Sequence, residues 1–204
     1  MSAAPVLHLN GFPGSGKLTI ARIIAERLGG RVIDNHLLLD AAGALFDRGT
    51  RGHAALREDL REVLFSHAAR LPDEVPLILT DALAEEDEAL FRPAVALAHD
   101  RGAPFYPVIL DLPLEENLRR LADPARGGCK LSDPAVLRVL RSRHVLMVPR
   151  DALRIEIGGL SPQQAARSIG GLAASTQSTF GTGRSVASPA SCRMIFPPSA
   201  RPTS

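Results

Sequence analysis

Gly11, Gly14, Gly16 and Lys17 fall within one short stretch, "GFPGSGK", and the first hydroxyl after the lysine comes at Thr19. Backbone N–H groups in such a turn can converge on an anion, and a lysine behind them adds a point charge. Glycines permit backbone conformations and close approaches that a Cβ would obstruct. The stretch follows the phosphate-binding pattern G-x-x-x-x-G-K-[ST], except that Leu18 stands where Ser or Thr is required. The chemistry suggested is the grip of a phosphate chain by Lys17 and by the loop of Gly11, Gly14, Ser15, Gly16, Leu18 and Thr19. The competing explanation is an ordinary glycine-rich turn. Lysine usage speaks against it, because Lys17 and Lys130 are the only lysines among 24 basic residues, and one of them sits in this loop. A slim ammonium reaches phosphate oxygens through a narrow loop where a planar guanidinium is too bulky.

The flanking elements suit that chemistry. "PVLHLN" before the loop is a short apolar strand, and "KLTIARIIAERLGG" after it places Ile20, Ile23, Ile24 and Leu28 at helical spacing before a Gly29-Gly30 stop. Further strands are expected at "RVIDNH", "VPLILTD", "APFYPVILDLP" and "DALRIEI". Helices are expected over residues 37–48 and 53–71, from Glu85 onward, over "LEENLRRL", from Ser132 to about His144, and from Pro162 to about Leu172. In the helix over 53–71, Leu56, Leu60, Val63, Leu64, Ala68 and Leu71 make an apolar face, and Arg57, Glu58, Arg61 and Glu62 line the other. Pro93 either kinks the region after Glu85 or starts a second helix. Ser161-Pro162-Gln163-Gln164 reads as a capping box opening the last helix.

Strands alternating with helices imply an α/β fold whose mainly parallel sheet is covered on both faces. Ligands of such sheets bind at the carboxyl ends of the strands, where the glycine loop, Asp34, Asp81 and Asp111 all fall. A length of 204 residues suits one such domain over 1–174 with a tail over 175–204 that is rich in Ser, Thr, Gly and Pro and expected to be disordered or loosely attached. Three arginines and no acids lie in that tail, so the formal charge of +2 becomes −1 for the expected domain. This balance, with one Tyr and no Trp, argues against a nucleic-acid partner. No apolar run has the length of a membrane span, and the N-terminus lacks a basic leader, so a cytoplasmic protein is expected. Cys129 and Cys192 form no metal or disulfide pattern. Monomer and homodimer are both open.

"GFPGSGKLT" resembles the loop of adenylate kinases, G-x-P-G-S-G-K-G-T, whose threonine comes equally late. Residues 5 to 172 as a whole resemble the small-molecule branch of the nucleoside-monophosphate-kinase-like superfamily, the shikimate kinase, gluconate kinase and chloramphenicol phosphotransferase type. The likeness is specific at the loop and extends to "LEENLRRLADPARGGCK", but adenylate kinase's monophosphate-binding motifs and long lid insertion are missing. It implies a three-layer P-loop NTPase fold with a five-stranded parallel sheet in the order 2-3-1-4-5 and a short lid. It also implies transfer of phosphate from ATP, with Mg²⁺, to a hydroxyl of a small molecule.

The same resemblance implies roles for individual residues. Asp34 would touch the acceptor hydroxyl and serve as its base, although an Asp there would equally cap the next helix. Read from the residues themselves, Asn35 and His36 could help hold the acceptor, with a hydrogen-bonded structural histidine as the competing reading of His36. Asp81 would hold Mg²⁺ through water, with Thr19 supplying the late hydroxyl, unless Asp81 is merely a helix N-cap before "ALAEED". The stretch from Arg119 to Lys130 reads as a lid, with Arg120 on the nucleotide and Arg126 and Lys130 on the transferring phosphate. The alternative from another class is a nucleotide-binding ATPase or regulatory P-loop protein with no small-molecule acceptor.

Overall fold

The computed structural model describes residues 3–122, 131 and 133–180. Five strands, β1 (Val6–Asn10), β2 (Arg31–Asp34), β3 (Leu77–Asp81), β4 (Phe105–Asp111) and β5 (Leu153–Glu156), form one sheet in the order β2-β3-β1-β4-β5. Every pairing is parallel. Among the described residues the helices are α1 (Lys17–Leu28), α2 (Asn35–Gly43), α3 (Arg51–Ala68), α4 (Glu88–Asp100), α5 (Leu114–Leu121), α6 (Pro134–Arg143) and α7 (Pro162–Phe180).

The central strands are apolar along their whole length because helices cover both faces. On one face Leu7, Leu9, Ile78, Val108 and Leu110 pack against Ile20 and Ile24 of α1 and Ala165, Ala166 and Ile169 of α7. On the other, Val6, Leu77 and Leu79 meet Phe65 and Ala68 of α3 and Leu97 and Ala98 of α4. A smaller cluster, Leu118, Leu121 and Leu137, joins α5 to α6 and takes in Phe12 of the glycine loop.

The expected elements are present, with shifted ends. Asn35 and His36 do not extend β2; the strand stops at Asp34, which becomes the N-cap residue of α2. Helix α3 begins at Arg51 because the Thr50 hydroxyl accepts a hydrogen bond from the His53 backbone N–H at 3.3 Å. Pro93 lies inside a single helix, α4, entered through a 3₁₀ turn at Glu85–Asp87. The capping box at Ser161 forms: its N–H donates to Gln164 Oε1 at 2.8 Å and its Oγ accepts from the Gln164 N–H at 3.2 Å. Helix α7 continues beyond Leu172 to Phe180, through a run with neither Gly nor Pro after Gly171.

Helix α3 departs most from its sequence pattern. Its buried residues are His53, Arg61, Phe65 and Ala68, whereas Val63 is 59% exposed. Arg61 thus lies inside rather than on the polar face, at 3% exposure, because a carboxylate waits there to pair with it.

Candidate active site

The loop between β1 and α1 is built by backbone constraints. Gly14 and Gly16 adopt φ values of 90° and 85°, a region that side chains disfavour. Gly11 is needed for a different reason: a Cβ there would stand 3.0 Å from Ser15 Oγ and 3.2 Å from the Leu110 carbonyl. Gly16 caps α1, so the free N–H groups of the first turn open toward the loop. The Lys17 ammonium donates to the Gly11 carbonyl at 2.7 Å and the Phe12 carbonyl at 3.1 Å, and lies 3.5 Å from Ser15 Oγ. Its charge is thereby held over the middle of the loop.

Two long-range ties hold the loop, one at its start and one in its middle. At its start, buried Asn10 donates to the Leu83 and Met147 carbonyls, both at 3.0 Å, and accepts from the N–H groups of Gly11 and Leu83. All four of its hydrogen-bonding positions are used. In its middle, fully buried Asn117 of α5 donates to the Pro13 carbonyl at 2.8 Å and accepts from Arg141 of α6 at 3.1 Å. The Arg141 guanidinium also sits 4.7 Å from the centroid of the Phe12 ring, a cation–π contact. Helices α5 and α6 are therefore fastened to the phosphate loop.

Strand order brings the acids to the same end of the sheet. Asp34 ends β2 beside Thr80 of β3, and Asp81 ends β3 beside Asn10 of β1. Asp34 does not use its side chain as a helix cap. Its Oδ1 accepts from Thr80 Oγ1 at 2.7 Å and from His36 Nδ1 at 3.1 Å. Burial works to raise the Asp34 pKa, but the hydrogen bonds from His36 and Thr80 outweigh it, and the carboxyl lies below its ordinary range.

Asp81 is 3% exposed and held by three contacts from two residues. Arg61 binds it two-pronged, Nη2 to Oδ1 at 2.9 Å and Nη1 to Oδ2 at 3.3 Å, and His8 Nε2 reaches Oδ2 at 3.1 Å. Burial again works to raise its pKa, but His8 and Arg61 hold it at about 2. Arg61 also donates to Asn35 Oδ1 at 3.0 Å and to the Leu90 carbonyl at 3.4 Å, so one guanidinium joins β3, α2, α3 and α4. Arg57, one turn earlier on α3, has a buried Nε with no hydrogen-bond partner.

A cavity of about 690 Å³ gathers these pieces. Its lining includes the loop residues Gly14 to Thr19, the acid cluster of Asp34, His36, Thr80 and Asp81, and Arg119 and Arg120 of α5. Arg120 donates to Glu116 and to the carbonyls of Ile157 and Gly158, which ties α5 to the exit of β5. Arg119 also binds Glu116. Gly11 lies beneath the loop without lining the cavity. Arg126 and Lys130 lie outside the described residues.

A family model described as an AAA domain (AAA_18) matches residues 8–129, more than half of the chain. The chain belongs to this family. This AAA-domain chain is 28% identical over 173 residues to a shikimate kinase of Corynebacterium glutamicum, a match covering 81% of the chain and 94% of the relative. Among solved structures it is similar to the APS kinase of Mycobacterium tuberculosis in complex with AMPPNP and APS, with TM-score 0.58, 21% identity, and coverage of 85% and 99%. It is also similar to the shikimate kinase of Acinetobacter baumannii in complex with shikimate, with TM-score 0.57, 22% identity, and coverage of 85% and 95%. The β2-β3-β1-β4-β5 order is thus that of the P-loop kinase α/β fold. Among the described residues no helix is long and apolar enough to cross a membrane.

Sequence reasoning passed over Asn10, His8, Arg61, Asn117 and Arg141. Apart from the Gly11 N–H beside Asn10, their hydrogen-bond partners lie 20 to 137 positions away along the chain, and nothing local marks them.

Proposed function

We propose that this chain is a phosphotransferase that moves the terminal phosphoryl group of ATP to a hydroxyl of a small molecule. The observation that supports it best is that the Lys17 loop and the Asp34 cluster line one cavity of about 690 Å³. A nucleotide-binding protein without an acceptor has no need for the second half.

Phosphoryl transfer needs positioning and charge neutralisation far more than covalent chemistry. The loop N–H groups and Lys17 would hold the phosphates, and Leu18 keeps its backbone N–H for that purpose although it brings no hydroxyl. Arg120, on the cavity wall, would meet the nucleotide, and Arg126 and Lys130 would close over the transferring group. Asp34 stands at the acceptor end, where it would receive the hydroxyl.

The donor set suits magnesium bound mainly by phosphates and water. Among the described residues no cluster of three or more His, Cys, Asp or Glu side chains could cage a metal. Thr19 is exposed, and among the described residues Oδ1 of Asp81, which lines the same cavity, accepts one hydrogen bond, which would leave a lone pair for a metal-bound water. When bound, Mg²⁺ neutralises charge building on the phosphate oxygens.

The test is direct. The purified chain is incubated with ATP, Mg²⁺ and either shikimate, APS or a metabolite extract, and mass spectrometry searches for products heavier by one phosphate. An acceptor-dependent product that Lys17→Met abolishes supports the reading. ATP hydrolysis indifferent to every acceptor, or a product that survives Lys17→Met, overturns it.

A further inference from the structure

The acceptor end of the cavity holds two groups able to take a proton, Asp34 and His36, and their geometry divides the labour between them. Asp34 is buried, and its Oδ1 accepts two hydrogen bonds, from Thr80 Oγ1 at 2.7 Å and from His36 Nδ1 at 3.1 Å. An ionised carboxylate accepts hydrogen bonds and donates none. The Asp34 carboxyl lies below its ordinary range, so at neutral pH it is ionised and the proton between Asp34 and His36 belongs to the imidazole. This assigns the neutral ring as the Nδ1–H tautomer, with Nε2 bare.

The rest of the ring is placed for use. His36 is the second residue of α2, its side chain is 40% exposed, and it lines the cavity with the phosphate loop. Its Nε2 has no hydrogen-bond partner among the described residues. The other charged side chains lining that cavity are Lys17, Arg48, Asp81, Arg119 and Arg120. Arg48 is paired with Asp40 at 3.0 Å, and Asp81 is taken by Arg61 and His8. A base orientated by a carboxylate through its far nitrogen is the arrangement that makes imidazole effective in proton abstraction.

We propose that His36 Nε2 takes the proton of the acceptor hydroxyl, and that Asp34, assisted by Thr80, is the positioning residue that fixes the ring's tautomer and orientation. The proposal rests on the phosphotransferase reading above and changes the base within it. In the step, the acceptor oxygen forms its bond to the terminal phosphorus while the bond from that phosphorus to the bridging oxygen breaks. The bridging oxygen keeps the electron pair and leaves with the diphosphate. The hydroxyl proton passes to Nε2, and the resulting imidazolium is balanced by the Asp34 carboxylate.

Two measurements on the full chain test this. In the first, long-range ¹H–¹⁵N correlation spectra of the histidine rings are recorded at pH 7.5 for wild type and for His36→Gln, which identifies the His36 signals. The expected pattern is a protonated Nδ1 and a bare Nε2, and Asp34→Asn should shift the ring toward the other tautomer. A ring protonated at Nε2 in wild type overturns the proposal. In the second, phosphate transfer is followed with ATP, Mg²⁺ and whichever of shikimate, APS or metabolite-extract acceptors wild type uses best. His36→Ala should lower kcat by roughly 10²-fold or more with little change in KM, lose the acid limb of the kcat/KM profile, and regain activity with added imidazole. Activity within about threefold of wild type, with the pH profile unmoved, overturns the proposal and returns the proton to Asp34. A wild-type chain that transfers phosphate to no acceptor removes the phosphotransferase reading itself, so the two failures are distinct.

Discussion

Replacing Asp81 with Asn should destabilise the fold far more than a surface change, and most of the loss should return when Arg61 is replaced with Met as well. Both side chains are 3% exposed and joined by a two-pronged ion pair at 2.9 and 3.3 Å. Removing one charge leaves the other buried and uncompensated, which costs about 3–5 kcal/mol, whereas replacing both by uncharged groups of similar volume is close to neutral. A second route gives a similar size. A carboxyl held at about 2 instead of 3.8 is favoured in its ionised form by roughly 2 kcal/mol in the fold. Because the folded pKa is the depressed one, that stabilisation is complete above about pH 4 and drains away as the pH falls through about 2. The assay is urea unfolding at pH 7 and at pH 3, supported by thermal melts. For a chain of this size 3–5 kcal/mol is a drop of about 6–20 °C in Tm. The single variants should each lose about 3 kcal/mol or more at pH 7, and the double variant should lie at least about 1 kcal/mol above Asp81→Asn. Single losses below about 1 kcal/mol, or strictly additive ones, would refute the claim that this pair locks α3 onto the sheet.

The loop makes two further predictions. Gly16→Ala meets no atom within 4 Å, so its whole effect is the strain of a side chain at φ 85°, a loss of roughly 1–2 kcal/mol in urea unfolding together with weaker ATP uptake by calorimetry. Asn117→Ala leaves the Pro13 carbonyl without its donor and should cost about 1–3 kcal/mol, with the ATP Kd rising because the loop loses its tie to α5. An Asn117→Ala chain that binds ATP as wild type does would show that the tie serves stability alone.

The phosphate loop, the parallel sheet and its apolar strands were legible in the sequence because each is written locally. Glycines at turn-forming positions, a lysine behind them, short apolar runs and a helical stripe in α1 all act through neighbours a few residues away. The capping box at Ser161 and the placement of Asp34 and Asp81 at strand ends follow from the same short-range rules. Helix α3 was misread for the converse reason. Periodicity assigns a cation to the solvent side, and only the arrival of Asp81 from β3 makes burying Arg61 favourable. The same holds for Asn10 and Asn117, whose partners come from remote segments, and for the sharing of Asp34 Oδ1 by Thr80 and His36. Thr80 is set beside Asp34 by the strand order and His36 by the first turn of α2, and no count along the chain brings the two hydroxyl and imidazole donors to a single oxygen. What the sequence alone determined was which residues could bind phosphate and which elements would carry them. Which charges pair and which donors meet on one carboxylate were decided by packing, because those depend on groups meeting across the sheet rather than along it.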